Sequence, residues 1–320
     1  MELSGKLLPA LPRIAVWERP AHSETPTTSK DARHRCDIMA EASWPNLELL
    51  CSLQKSLEFN PSHWQPVIRQ KLVLELLDRF DSEGTEERDL LKTVQTHIYR
   101  KFLGLWAHIR KQINTAFEKL IYETHNFNEV TELLKVLGAI INGFTLPLKA
   151  EHKQFLVKVL IPLHQPVCLE HSQAPRRYCL VTFVAKHAAS AEQIGKGLQK
   201  LWPKICSKKE LLFLLEIEDI LYVPAPTQFS KTQDTFFTQI AKCVCNPHSH
   251  VAERALYFWK NNYILSLIEK NNETGIPLML SALYHTPKQQ LDQTTVEPVY
   301  NALKRFMEIN FKLFDGLPSA

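Results

Sequence analysis

The chain has 320 residues, of which 45% are hydrophobic and 22% are charged, an ordinary balance for a folded chain. Only nine glycines occur, and this scarcity disfavours sheets and phosphate-binding loops and favours helices joined by short turns. The net charge of +4 is too small to indicate nucleic acid, and no apolar run is long enough to span a membrane. The sequence therefore predicts neither a nucleic-acid partner nor a membrane partner.

Residues 1–40 have the composition of a disordered leader, because prolines at 9, 12, 20 and 26 stand among serines and threonines. Order is expected from Ser43-Trp44-Pro45, since serine caps helices and proline suits a first helical turn. The ordered domain is predicted over residues 41–315, with a short tail at 316–320. Seven scattered cysteines without an export signal predict reduced thiols and a cytoplasmic and nuclear location.

Beyond the leader the pattern is one helix after another. Leu72, Leu76 and Phe80 form an amphipathic stripe that ends before Gly84, and Thr85 with the acids after it opens the next helix. Further helices are predicted at about 99–122, 128–143, 151–162, 175–187, 190–202, 208–221, 227–243, 248–268, 275–285 and 295–314. Prolines occupy most of the breaks.

Consecutive helix pairs occupy roughly 40 to 47 residues, the period of HEAT repeats. The predicted fold is therefore all-α, a HEAT-like helical-repeat solenoid, or alpha-alpha superhelix. A globular helical enzyme is the competing interpretation.

The spacing of Cys243, Cys245, His248 and His250 invites a zinc interpretation. Four ligands within eight residues leave little chain to wrap an ion, so packed thiols and surface histidines are favoured and no metal is predicted.

No catalytic constellation is evident. Glu216, Glu218 and Asp219 imitate an acid pair, but a solvated or partner-facing acidic edge is the favoured interpretation. No nucleophile motif, metalloprotease motif or phosphate loop occurs. The sequence predicts neither catalysis nor a cofactor.

One apolar and aromatic helical face is a candidate binding site. A helix expected over about 87–122 places residues on one face at spacings of 3 and 4, and the next helix and loop add further residues. These residues are Thr96, Tyr99, Leu103, Trp106, Arg110, Leu133, Val136, Ile140, Lys149 and His152. A groove for an extended peptide with apolar anchors and an acid would suit them, although periodicity alone favours an ordinary core between repeats.

Long strings of this chain resemble the B-prime regulatory subunits of protein phosphatase type 2A. The strings are Ile98-Tyr99, Lys101–Leu105, Ile109–Asn114, Tyr122–Thr124, Leu137-Gly138, Ile140–Phe144, Leu146–Lys149, Val251–Tyr257 and Tyr300-Asn301. The resemblance runs from about Trp44 to Phe314, and Ala150–Leu156 points to the delta-like branch. Compared with that family, the chain is expected to be shortened at its front and diverged.

The resemblance implies a non-catalytic subunit that binds the phosphatase scaffold and catalytic subunits. It also implies a groove that recruits substrates carrying L-x-x-I-x-E motifs. Tyr99, Leu134, Ile140, Lys149 and His152 match positions that the family uses in or beside the groove, and Val136 replaces a similar isoleucine.

Four groove positions depart from the family pattern. Thr96 replaces a histidine, His97 and Trp106 each replace an arginine, and Lys135 replaces a glutamate. The motif's glutamate is therefore expected to be read less tightly, and by His97 only when that residue is protonated, so binding should strengthen as the pH falls from about 7.5 to 6.

Contact with the phosphatase core is expected at Asp81, Glu83, Glu86 and Glu87, and within the segment 251–257 at Glu253 and Arg254. The first function predicted is recruitment of substrates to phosphatase complexes in signal transduction. The alternative is a diverged, truncated helical-repeat adaptor with impaired phosphatase assembly or motif binding.

Overall fold

The structure, a computed structural model, describes residues 47–59, 68–122, 130–165, 172–223, 226–271, 276–277, 280 and 293–309. All of them lie in one compact unit, Pro45–Ala320. The predicted leader and tail lie outside the described residues. Within the described part there are thirteen α-helices and no strand, which confirms the all-α prediction.

The helices are α1 Leu47–Phe59, α2 Gln70–Asp78, α3 Thr85–Lys101, α4 Trp106–Tyr122, α5 Val130–Asn142, α6 Ala150–Phe155, α7 Gln173–Lys186, α8 Ser190–Lys200, α9 Ser207–Leu221, α10 Pro226–Val244, α11 Ser249–Leu256, α12 Asn262–Lys270 and α13 Gln293–Ile309. A π-helical turn, Leu156–Leu160, continues α6, and a 3-10 turn, Pro162–His164, follows it. Further 3-10 turns are Arg79–Asp81, Leu103–Leu105 and Tyr257–Lys260.

Alternate helices pack in two layers. In the odd layer α1, α3, α5, α7, α9, α11 and α13 pack in succession. In the even layer α2 packs on α4, α4 on the segment 156–164, that segment on α8, and α8 on α10. Each helix turns an apolar stripe towards its neighbours; on α5 the buried stripe includes Leu133, Leu137 and Ile141. This is the repeat arrangement of a HEAT-like solenoid.

Successive pairs, each an even-layer helix followed by an odd-layer helix, begin at Gln70, Trp106, Ala150, Ser190, Pro226 and Asn262. The interval is therefore 36 residues from 70 to 106 and 44 residues from 106 to 150. The intervals between successive starts range from 36 to 44 residues, so the repeat length lies partly within and partly below the predicted range of roughly 40 to 47 residues.

Two of the predicted helices are divided. The helix expected over 87–122 ends at Lys101, because Phe102 leaves the helical region with φ −113° and ψ 81°, and α4 begins at Trp106. The helix expected over 248–268 is interrupted at 257–261, where the Asn261 side chain accepts hydrogen bonds from two backbone amides and caps α12. Most of the helix expected at 275–285 lies outside the described residues.

Glycines let α8 approach both of its even-layer neighbours. A Cβ at Gly197 would lie 2.5 Å from Cγ2 of Ile161, and one at Gly195 would lie 3.0 Å from the ring of Phe236. Because a real Cβ does not come within 2.5 Å of another carbon, the glycine at 197 is required by this packing distance.

A charged cluster lies in the core between the segment 156–164, α7 and α9. Glu216 is fully buried, with its Oε2 2.9 Å from Nε2 of His164 and its Oε1 3.4 Å from Nη2 of Arg176. Burial opposes ionisation of Glu216, but the charges and hydrogen bonds of His164 and Arg176 outweigh burial and hold the pKa of this carboxyl below its usual value.

The acidic edge expected at 216–219 is therefore wrong. Besides the burial of Glu216, the Glu218 carboxylate accepts a hydrogen bond from Arg254, and Asp219 lies 2.8 Å from Nε of Arg177. All three carboxylates bridge neighbouring helices of the odd layer. Their positions on α9 explain this, because the odd layer packs α7 on one side of α9 and α11 on the other.

Candidate functional site

A cavity of about 170 Å³ opens between α4, α5 and the start of α6. The turn 143–149 carries the chain from the odd layer to the even layer and brings Phe144 and His152 to the cavity. The main polar lining residues are Arg110, Glu151 and His152, and the apolar ones include Ile140, Phe144 and Phe155. Such a mixture suits a short segment with an apolar anchor and a polar neighbour.

His152 is a buried polar group in the wall of this cavity. Its ring stacks on Phe144 with centroids 3.8 Å apart and planes 6° apart, and neither ring nitrogen has a hydrogen-bond partner. Burial lowers the pKa of His152, Arg110 and Lys149 lower it further, and Glu151 opposes them. At neutral pH the ring is therefore uncharged and offers one donor and one acceptor to a ligand.

Arg110 and Lys111 are the cations of the cavity lining, and Arg110 contacts neighbouring side chains. Its Nη2 lies 3.3 Å from Oε1 of Glu151 and its Nη1 lies 3.4 Å from the Tyr99 hydroxyl. The side chain keeps 21% exposure. The periodicity placed Arg110 on the face expected to suit a peptide groove, whereas the family resemblance did not name it among the motif-reading positions.

Tyr99 and Trp106 meet across the turn that divides the expected helix. Their rings stack at a centroid distance of 5.3 Å with planes 15° apart, and the Trp106 indole N–H donates to the Tyr99 carbonyl oxygen. The two residues are therefore neighbours, although they do not lie on one continuous helical face. One face of the Trp106 ring is occupied by Tyr99, and only the remaining surface can contact a ligand.

Several predicted groove residues lie elsewhere. Leu134 and Val136 are fully buried, so the structure places them in the core rather than on an exposed apolar floor. Ile140 is also buried but lines the cavity. Lys135 and Lys149 are exposed outside the cavity lining.

Thr96 and His97 lie half-buried on α3. The Thr96 hydroxyl donates to the Lys92 carbonyl oxygen over 2.8 Å. Burial lowers the pKa of His97, Arg100 and Lys101 lower it further, and Glu58 raises it. Desolvation and two neighbouring cations therefore disfavour the charged form of His97.

The residues expected to contact the phosphatase core differ in availability. Glu83 and Glu86 are exposed, whereas Glu87 accepts a 2.7 Å hydrogen bond from Ser82 and lies 3.5 Å from Arg79. The side chain of Asp81 lies outside the described residues.

On α11 the Glu253 side chain is 31% exposed beside His250, while Arg254 is engaged with Glu218. Glu83, Glu86 and Glu253 are thus the accessible members of the expected core-contact set.

The cysteine and histidine cluster near α11 is dispersed. Cys243 is 1% exposed, and burial raises its pKa to about 12, so it is an unreactive packed thiol. The His250 side chain is 86% exposed. Among the described residues no group of three histidine, cysteine or acidic side chains is arranged to hold a metal, and no helix of the described part is long and apolar enough to cross a membrane.

The family model for the regulatory B subunit of protein phosphatase 2A, B56 family, matches residues 18–319. This chain belongs to the B56 family. The family is the one that the strings at 98–149 and 251–257 indicated.

Relatives within the B56 family are similar over most of this chain. The human 56 kDa regulatory subunit alpha isoform is 54% identical over 284 residues, which cover 88% of this chain and 58% of the relative. The Caenorhabditis elegans regulatory subunit pptr-1 is 54% identical, with 87% and 52% covered. The rabbit delta isoform is 48% identical, with 92% and 51% covered. The chain spans about half the length of these relatives, whose names describe regulatory rather than catalytic subunits.

Proposed function

We propose that this chain is a non-catalytic regulatory subunit of protein phosphatase 2A. In this role it binds the scaffold and catalytic subunits and recruits substrates carrying L-x-x-I-x-E-like motifs, in the cytoplasm and the nucleus. Family membership supports the regulatory role. The single observation that carries motif recruitment is the cavity at Ile140, where the His152 ring, whose Nε2 lies 3.4 Å from Oε1 of Glu151 without a hydrogen bond, meets the guanidinium of Arg110.

The cavity favours a peptide with an apolar anchor beside an acidic group. Ile140, Phe144 and Phe155 supply apolar walls, and Arg110 supplies a charge-assisted donor that Glu151 holds in place. An incoming carboxylate would exchange with Glu151, whose side chain is 57% exposed and free to move into water. Motif binding therefore depends on displacing an exposed intramolecular ion pair, which contributes only about 0–1 kcal/mol.

The groove beyond this cavity lacks cations where the family resemblance expects them. Trp106 stacks on Tyr99 instead of presenting an arginine fork, and His97 is held neutral. We infer that an L-x-x-I-x-E peptide binds through its apolar anchors and Arg110, more weakly than to a relative with both arginines. Lys135, exposed 3.9 Å from Glu132, shifts the flanking preference towards acidic or phosphorylated residues.

Calorimetry with an L-x-x-I-x-E peptide tests motif binding. The wild-type chain should bind, Arg110→Ala should reduce affinity by about tenfold or more, and the triple change His97→Arg, Trp106→Arg and Lys135→Glu should increase it. Lys119→Ala, which removes an exposed cation of α4 outside the cavity lining, is the matched control and should have little effect. Absence of binding by both the wild type and the triple variant, with circular dichroism unchanged, would reject motif recruitment.

Co-purification from cells followed by mass spectrometry tests assembly. Recovery of the scaffold and catalytic subunits with the wild-type chain is expected, and Glu83→Lys with Glu86→Lys should reduce it by removing two exposed carboxylates. Glu87 is left intact because it stabilises its own turn. Glu118→Lys with Glu269→Lys is the charge-matched control on other exposed positions. Unchanged recovery with the 83/86 variant would remove the acidic turn from the interface.

The alternative function is a diverged helical-repeat adaptor that does not assemble with the phosphatase. The observation that favours it is the absence of arginine at positions 97 and 106, where the family resemblance expects one at each. Peptide binding without co-purification of phosphatase subunits would select this alternative.

A further inference from the structure

A second, strongly polar pocket of about 400 Å³ lies at the other end of the helix stack, between the turn 257–262 and α13. Lys260, Lys304 and Arg305 line it together with Asn262, Glu308 and the indole of Trp259. On α13 Glu308 lies one turn after both cations, at i+4 from Lys304 and i+3 from Arg305. The pocket therefore combines three cations with one carboxylate.

The cations of this pocket are poorly neutralised within the described part of the chain. Arg305 has an ion pair to Glu308, 3.1 Å away on the same helix, with both side chains about half exposed. Lys304 has no ion-pair partner among the described residues, and Lys260 lies over the Tyr257 ring at 4.5 Å rather than beside a carboxylate. The pocket carries a formal excess of two positive charges.

Other arginines of the odd layer are paired differently. Arg176, Arg177 and Arg254 each contact a carboxylate of α9, a neighbouring helix, and these contacts hold the layer together. The cations at α13 make no such bridge to another described helix. Arg176, Arg177 and Arg254 thus hold neighbouring helices together, whereas the cations of the pocket have no such structural role.

The wall of the pocket also contains an unused donor. Trp259 is 4% exposed, and its indole nitrogen has no hydrogen-bond partner. Its ring is fixed by Phe306 of α13 at a centroid distance of 4.7 Å. Buried indole N–H groups normally donate to an acceptor. After a small adjustment of the ring, the Trp259 N–H would donate to an acceptor atom of a ligand bound in this pocket.

We propose that this pocket binds the phosphate group of a phosphorylated serine or threonine in a peptide partner. A phosphate monoester carries a charge of about −1.5 to −2 at pH 7 and three strong acceptor oxygens, which match the excess of two cations and the amide of Asn262. The volume leaves room for the residues that flank the phosphorylated side chain. Arg305 exchanges Glu308 for the phosphate on binding, because a dianion is the stronger partner. This site is separate from the cavity at Ile140 and does not depend on the proposed function.

The probes are libraries of short peptides with randomised flanks around one fixed residue: phosphoserine, serine or glutamate. The full chain is immobilised, and retained peptides are quantified. The phosphoserine library should be retained above the other two. A phosphopeptide selected in this way is then measured by fluorescence anisotropy against the variant Lys304→Glu/Arg305→Glu, which should lower its affinity at least tenfold.

The control variant Lys71→Glu/Lys196→Glu makes the same charge change at positions whose side chains are 89% and 65% exposed, and it should bind like the wild type. Arg110→Ala, in the other cavity, should also leave binding unchanged. Equal retention of the serine or glutamate library would overturn the proposal. An equal loss in the Lys71/Lys196 control would overturn it as well, because binding would then follow net charge alone. Thermal unfolding of each variant verifies its fold.

Discussion

Gln95 is a polar side chain in the core of the odd layer. It is fully buried on α3, and neither its amide nitrogen nor its carbonyl oxygen has a hydrogen-bond partner. A buried unpartnered polar group costs about 1–3 kcal/mol. We expect Gln95→Leu, which keeps a similar volume, to raise the free energy of unfolding in urea by about that amount.

Gln199→Leu is the matched control for this change. The Gln199 amide donates to the Thr235 carbonyl oxygen over 2.9 Å and is only partly buried, so its loss should be neutral or destabilising. A decrease in stability for Gln95→Leu would contradict an unpartnered amide at position 95.

The opposite effect is expected at Glu216. Glu216→Gln leaves the Arg176 guanidinium buried without a counter-charge, and breaking a buried ion pair in this way costs about 3–5 kcal/mol. Because the folded-state pKa of Glu216 is lowered, its stabilising contribution is present above the ordinary glutamate pKa and is lost as the pH falls through the folded value. The wild type should therefore lose stability on acidification more steeply than the variant.

Urea unfolding at neutral and acidic pH measures both effects. Glu75→Gln, which removes an exposed pair with Lys71, is the control and should change stability by less than about 1 kcal/mol. Parallel acid profiles for wild type and Glu216→Gln would contradict a folded-state role for the ionised carboxylate.

In the proposed binding mode, His97 is the residue expected to govern the pH dependence of acidic-peptide binding. Because burial lowers its pKa, the ring stays neutral through the interval from about 7.5 to 6.5, and any gain in affinity begins below the ordinary histidine value. Calorimetry should give a flat affinity for an L-x-x-I-x-E peptide across that interval. His97→Arg should bind more tightly at every pH. A rise in wild-type affinity already between pH 7.5 and 6.5 would contradict the lowered pKa.

The sequence pattern could not predict the partners of Glu216 or the burial of Gln95, because tertiary packing determines both. Glu216 stands beside Glu218 and Asp219, so the local pattern indicates a solvated acidic edge. Its neutralising groups, His164 and Arg176, are far away in the sequence and meet it only after α7 and α9 pack. Burial of Gln95 is equally a tertiary outcome, because a polar residue next to Val94 reads as a helix face turned to water.

The position of helix α8 depends on its glycines, because they have no Cβ atom. Gly197→Ala would place a Cβ 2.5 Å from Ile161, so α8 or the π-helical segment must move. Overpacking of this kind costs about 1–3 kcal/mol. We expect thermal unfolding of Gly197→Ala at a lower temperature than the wild type.

Gly104→Ala is the control, because nothing lies within 4 Å of the added methyl group. It should leave the unfolding temperature unchanged or raise it slightly, since alanine restricts the unfolded chain. Equal effects of the two substitutions would mean that close packing at Ile161 does not decide the position of α8.

Amphipathic periodicity predicted that the helices exist, but it did not predict where two of them end. Apolar and aromatic residues continue at spacings of 3 and 4 from Tyr99 through Leu103 to Trp106, so the pattern crosses the break at Phe102 without interruption. Gly104 is the only local sign of the turn. Around the candidate site, the family resemblance identified Ile140 and His152, while the role of Arg110 emerged only when the Tyr99 and Glu151 contacts were known.

Contacts within each layer are limited to adjacent helices, so distant substitutions should act independently. Gln95 lies on α3 and Glu216 on α9, with α5 and α7 between them in the odd layer. The double variant Gln95→Leu/Glu216→Gln should change the free energy of unfolding by the sum of the single changes, within about 0.3–0.5 kcal/mol. Urea unfolding of the four proteins of this cycle measures the coupling. A larger coupling energy would indicate that the helices transmit strain along the layer.

Because the helices alternate between two layers, the buried fraction of residues depends on chain length differently from that of a globular domain. In a globular domain the ratio of surface to volume falls as the chain grows, so longer chains bury a larger fraction of their residues. Here each helix pair covers only the pair before it and the pair after it, and the buried fraction per pair stays nearly constant with length. Adding or removing pairs therefore alters how much surface is offered to partners, while each remaining pair keeps its own density of core contacts.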